Sequence, residues 1–181
     1  KYSESLLRNG KWMGPKTYGD PALLLPMFVK ASENKHDRTG IIPHYTEYEY
    51  FREKYSDMYE VINLNSSDVE NVTKIITSCK RILSTSLHGV IVSHAYGIPA
   101  LWIEKKPLEI VGIEGFKFRD YFSAVGVEEY LGIKNYDQYL YSEEGVDKLF
   151  TENARYILPN NDLSEVRAAL IKAFPLDIVY K

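Results

Sequence analysis

Cysteine is nearly missing from this 181-residue chain: Cys79 stands alone, so no internal disulfide can staple the fold. That scarcity fits a reducing, cytoplasmic setting, with Cys79 as a small core residue. An excess of charge of one sign is missing too. Basic residues number 22 against 25 acidic ones, a formal net charge of −3. A broad electrostatic surface for nucleic acid or anionic membrane is therefore not expected, although a local pocket for one small anion remains open. No run approaches the roughly 20 apolar residues of a membrane-spanning helix, and the opening KYSESLLRNG lacks a signal-peptide pattern. Internal repeats and low-complexity tracts are also lacking. No set of His, Cys, Asp or Glu has metal-ligand spacing, so no metal is expected. What the chain does have is 45% hydrophobic residues, enough for a packed core.

From Thr39 onward, β-rich runs alternate with helical periods, the pattern of a parallel α/β sheet. TGIIPHY (39–45) reads as a buried strand, TEYEYFREKY as a helix, and YEVINL (59–64) as a second strand. Ser67 and Glu70 have capping-box spacing, and Val69, Val72, Ile76 and Cys79 recur at helical intervals, predicting a helix from about Asp68 to Lys80. A short strand over Arg81–Ser84 follows, then a helix over about Ser86–Tyr96 that stops at Gly97, with Pro99 opening the strand PALWIE. These elements predict a Rossmann-like α/β domain over residues 39–181, its crossovers right-handed, with residues 1–38 as a lead-in or linker. FKFRDYF (116–122) falls in a loop-rich stretch, and two more helices are predicted around 142–156 and 164–174.

In doubly wound sheets, ligands bind beyond the carboxyl ends of the strands, where helix N-termini present unpaired N–H groups and partial positive charge. STSLHG (84–89) sits at such an end. Ser84, Thr85 and Ser86 can cap the helix or donate hydroxyls to an anion, and His88 falls in the first turn. Gly89 would let a ligand or a neighbouring backbone approach closely. The plainer alternative is that the serines only cap and His88 only bonds a carbonyl. His94 lies about 120° around the helix from His88 at 3.6 residues per turn, so the two cannot form an i,i+4 metal pair. His44 lies at the expected carboxyl end of the first strand, as a ligand contact or a core hydrogen-bonding residue. Asp20, in YGDP, sits in turn chemistry, and His36 is expected to be exposed in the polar loop ENKHDR. The 15 tyrosines fall mostly in periodic contexts that suit half-buried packing.

The run STSLHGVIVSHAYGIPALWIE, preceded in order by GDPALLLP and GIIPHY, resembles the polysaccharide pyruvyl transferase family from about Tyr18 to Phe122. Members of that family are longer, two-domain proteins similar to GT-B glycosyltransferases, so the resemblance implies the C-terminal half of such an enzyme, with a missing N-terminal half as its partner. It implies transfer of pyruvate from phosphoenolpyruvate, a co-substrate rather than a cofactor, to two hydroxyls of a sugar in a cell-surface or exopolysaccharide, forming a ketal. The implied acceptor is carried on a lipid or a nucleotide, at the cytoplasmic face of the membrane. His88 matches the motif histidine and is implied in acid/base work, with Ser84, Thr85, Ser86 and Gly89 as an anion cradle. The motif's recurrence makes Asp20 a candidate for a sugar-hydroxyl contact or a general base. Many relatives carry an arginine two residues before that histidine, where this chain has Ser86; Arg119, Arg81 and Lys105 are the candidates to replace its charge.

Two other readings fit the same architecture. A nucleotide-sugar-dependent GT-B glycosyltransferase would seat a diphosphate on the same helix entrance, with Glu104 as its ribose carboxylate. Alternatively, a lone half-enzyme would bind weakly, catalyse nothing, and self-associate through an uncovered domain interface.

Overall fold

A computed structural model describes residues 17–104 and 115–173. The opening KYSESLLRNG, Lys105 and residue 174, the expected end of the last predicted helix, lie outside the described residues. Among these residues, four strands, β1 (Thr39–Ile42), β2 (Glu60–Val61), β3 (Arg81–Ser84) and β4 (Ala100–Trp102), form one parallel sheet in the order β2-β1-β3-β4. Among the described residues, six α-helices accompany them: α1 (Tyr48–Tyr55), α2 (Val69–Ser78), α3 (Leu87–Ala95), α4 (Phe116–Val125), α5 (Glu143–Glu152) and α6 (Leu163–Ala173). The architecture is Rossmann-like α/β, as the alternation of patterns predicts. β2 is shorter than predicted, two residues instead of six.

β1, β3 and β4 are buried on both faces, and their alternation divides the core in two. Ile42, Ile82, Ala100 and Trp102 point to one face, where they meet Ile76 of α2, Val90 and Ile91 of α3, and Phe122 and Val125 of α4. Ile41, Leu83, Leu101 and Ile103 point to the other, against Phe51 and Tyr55 of α1 and Val146, Leu149 and Phe150 of α5. Side chains are large and apolar on both sides, which is why every strand residue of β1, β3 and β4 is fully buried.

Helix ends follow local chemistry. The N-cap of α2 is Asp68, whose carboxylate accepts from Asn71 N at 2.9 Å; the Ser67 capping box does not form, because Asp68 sits one residue closer and accepts more strongly. Ser142 caps α5, accepting from Gly145 N at 3.1 Å. At the end of α3, Gly97 takes φ +69°, a conformation in which a Cβ would be strained.

Several expectations are corrected. The described part of 1–38 is no mere lead-in: a 3-10 helix at Pro21–Met27, capped by Asp20, buries Leu23 in the core. Arg167 of α6 ties it down, donating to Leu23 O at 2.8 Å and to Ala95 O at the end of α3. His36 is half-buried instead of exposed; its backbone N–H donates to Ser78 O at 3.0 Å, and its ring meets the Ser78 hydroxyl at 2.9 Å. FKFRDYF is helical as part of α4, because Phe118 and Phe122 stack against Trp102 and Tyr130 and supply the packing that local propensity does not.

Candidate functional site

The strand order reverses between β1 and β3: β1 leads outward to β2 and β3 leads the other way to β4. Loops leaving such a switch point diverge to opposite faces of the sheet and leave a crevice beyond the strand ends. Here the two loops are Pro43-His44-Tyr45, after β1, and Thr85-Ser86, after β3. They are stitched together. Thr85 Oγ1 accepts from His44 N at 2.7 Å and donates to the Glu47 carboxylate.

A cleft of about 650 Å³ opens at this edge. Its polar mouth is formed by His44, Ser86, His88 and the Asn65-Ser66 turn after β2, and its apolar floor by α2 and α3 residues such as Val72, Ile76 and Val92. His88 is exposed in the first turn of α3 and makes no hydrogen bond among the described residues. Ser86 is the helix N-cap, but its hydroxyl makes no capping bond, unlike Asp68 on α2 and Ser142 on α5. An uncapped helix entrance therefore faces the cleft beside a free imidazole, an arrangement that can hold an anion and exchange a proton with it.

A second cleft of about 320 Å³ lies on the other side of the same helix entrance, lined by Asp20, Leu87, Lys117, Asp120 and Tyr121 among others. Asp20 serves two purposes there. One carboxylate oxygen accepts from Ala22 N at 2.8 Å as an N-cap, and the residue also borders this cleft.

The structure assigns other sequence candidates to structural duties. Ser84 is fully buried: its hydroxyl lies 2.7 Å from Ile42 O and 2.8 Å from Ser86 O and accepts from Ser86 N at 3.0 Å, so it shapes the turn instead of touching a ligand. Gly89 faces the sheet, where a Cβ would come within 2.3 Å of Ser84 Oγ and 2.8 Å of Ile42 Cγ2; its smallness seats α3 on β1, not a ligand. Arg81 lies at the opposite end of β3 from the cleft, buried, bonded to Thr39 Oγ1 at 3.0 Å and ion-paired with Asp147 at 2.5 Å and Glu143 at 3.0 Å. The pairing holds the Asp147 carboxyl below its ordinary range. Arg119 pairs with Glu129 and lines neither cleft. Glu104 stands past β4 with Lys134 at 3.9 Å, also outside both linings.

His94 proves structural. It is 1% exposed, with Nε2 3.1 Å from Ile157 O and Nδ1 3.1 Å from Tyr121 Oη. A carbonyl cannot donate, so Nε2 carries the proton and Nδ1 accepts from the tyrosine. Burial pushes the ring down to about 4, leaving it neutral. Burial likewise pushes the Cys79 thiol up to about 12, so it is an inert core residue.

Sequence reasoning missed Lys117, Asp120 and the Asn65-Ser66 turn. Read as a helix, FKFRDYFSA (116–124) would have separated Lys117, Asp120, Tyr121 and Ala124, at i, i+3, i+4 and i+7, from Arg119. Those four border the second cleft.

The family model for polysaccharide pyruvyl transferase matches residues 1–106, more than half of the chain. The chain belongs to the polysaccharide pyruvyl transferase family. The match includes Asp20, His44 and the helix entrance with His88, and stops short of Arg119. The chain is also 34% identical over 119 residues to "Uncharacterized protein L143" of Acanthamoeba polyphaga mimivirus, an alignment spanning 62% of this chain and 41% of that protein. The chain thus matches less than half the length of that relative. No solved structure matches it. Among the described residues, no helix is long and apolar enough to cross a membrane, and no three His, Cys, Asp or Glu side chains cluster as metal ligands.

Proposed function

We propose that this pyruvyl transferase family member takes phosphoenolpyruvate as donor and a sugar diol of a surface or extracellular polysaccharide as acceptor, with the donor's anionic groups at the α3 entrance and His88 as proton acceptor. The observation that carries the reading is His88 itself: exposed, without a protein partner, at an uncapped helix entrance on the switch-point cleft. Phosphoenolpyruvate is a small dianionic-to-trianionic acid, and helix amides suit its phosphate and carboxylate. One sugar hydroxyl adds to C2 as it loses its proton, and a second then displaces phosphate from the same carbon. An imidazole beside C2 serves the first deprotonation and afterwards supplies the proton to departing phosphate.

The test is calorimetric titration of the full-length protein with phosphoenolpyruvate, UDP and GDP, followed by phosphate release in the presence of a panel of p-nitrophenyl hexosides. Phosphoenolpyruvate is expected to bind in preference to the nucleotides, and His88→Ala to lose at least about 100-fold in phosphate release with an unchanged melting temperature. Nucleotide binding without phosphoenolpyruvate binding would overturn the reading in favour of glycosyl transfer.

A further inference from the structure

Pyruvyl transfer, as read above, needs two proton movements in its first step: a hydroxyl proton must leave while the donor's methylene gains one. One imidazole cannot be both proton acceptor and proton donor in that step. The cleft holds a second one. His44 is exposed, yet it is restrained as an exposed side chain ordinarily is not. Its ring Nδ1 lies 2.8 Å from Thr46 Oγ1, its backbone N–H is held by Thr85 Oγ1 at 2.7 Å, and its ring sits 4.4 Å from that of Tyr45. None of these contacts serves the core, since His44, Tyr45 and Thr46 are all exposed. With Nδ1 engaged by Thr46, Nε2 is the nitrogen left to act in the cleft that His44 lines together with His88. An orienting hydrogen bond on one ring nitrogen is what fixes the reactive role of the other.

We infer that His44 is the general acid that protonates the donor's methylene carbon, with Thr46 as its positioning residue; this rests on the phosphoenolpyruvate reading above. His88 shares the α3 entrance with the phosphate, so the proton it takes is best placed for the leaving group, and the methylene falls to His44 on the β1 side. In the first step the proton on His44 Nε2 goes to C3, converting the methylene to methyl, while the acceptor oxygen bonds C2 and gives its proton to His88. In the second, the other sugar hydroxyl bonds C2 and returns a proton to His44. The C2–O bond to phosphate breaks, its electron pair leaving with phosphate, which takes the proton from His88. Both imidazoles end as they began, and the products are the ketal and inorganic phosphate.

The ionisable groups near His44 are Tyr45 and His88 in the cleft, and Glu47, whose backbone N–H donates to His44 O at 2.8 Å and whose carboxylate accepts from the Thr85 hydroxyl. The role is read from the pH dependence of phosphate release by the full-length protein, with phosphoenolpyruvate and the p-nitrophenyl hexoside panel. Wild type should show a bell-shaped profile. His44→Gln should lose about 100-fold in kcat with KM for phosphoenolpyruvate within about threefold, and should lose the basic limb, because that limb reports the protonated acid. Thr46→Val should keep the limb but displace it, while Thr46→Ser should restore the wild-type profile. A His44→Gln protein that retains the basic limb, or kcat within threefold of wild type, overturns the inference. If wild type neither binds phosphoenolpyruvate nor releases phosphate from it, the underlying functional reading fails instead.

Discussion

His94 makes the stability of this domain depend on pH at values where carboxylates contribute little. In the folded state, burial holds its imidazole at about 4, against an ordinary value of 6.5. The unfolded chain therefore binds a proton that the folded chain refuses as pH falls through 6.5, and stability decreases until the folded ring itself titrates near 4. The full effect is the 2.5-unit difference at about 1.36 kcal/mol per unit, about 3 kcal/mol, of which about 2 kcal/mol appears between pH 7 and 5. Urea unfolding at half-unit pH steps over that window, for wild type and His94→Gln, isolates it. Glutamine does not titrate and can still donate toward Ile157 O. The variant should be less stable at pH 7, with the gap closing by about 2 kcal/mol at pH 5. Parallel pH profiles for the two proteins would refute the argument and mean that the ring protonates without leaving its site.

Three further substitutions test the packing of the sheet against its helices and loops. Gly89→Ala should destabilise by about 1–3 kcal/mol in urea unfolding, because the new Cβ would lie 2.3 Å from a Ser84 hydroxyl already fixed by its own hydrogen bonds. The gain of up to about 1 kcal/mol usual for Gly→Ala in a helix would mean that α3 can lift off β1. Arg81→Ala should cost about 2 kcal/mol through lost charged hydrogen bonds and its packing over the Phe150 ring, yet leave the phosphoenolpyruvate dissociation constant unchanged in calorimetry. A weakened ligand would return Arg81 to the list of donor contacts. Tyr130→Phe removes the oxygen that accepts from Trp102 N at 2.7 Å, and should cost about 1–3 kcal/mol for the stranded amide, measured by thermal and urea unfolding together.

The alternation of strand and helix, the end of α3 at Gly97 and the placement of His88 in a first turn were legible from local chemistry. Capping residues, glycine stops and apolar periods act over a few neighbours, so one stretch of sequence contains all that decides them. The same holds for β3, whose four residues match the expected span. Where two local signals competed, as Ser67 and Asp68 did for the start of α2, the stronger acceptor won.

What the tertiary structure alone decided is which of the candidates share a space. Strand order brought the β1 and β3 loops to a switch point, so His44 and His88, distant in sequence, line one cleft. Packing turned Ser84 and Gly89 inward and tied Arg81 to Glu143 and Asp147 of α5. It also made a helix of FKFRDYF by stacking its rings on Trp102, which put Lys117 on the second cleft and Arg119 against Glu129. Residue types and spacings specify what a side chain can do chemically; its neighbours across the fold depend on contacts between distant segments, which no local pattern encodes.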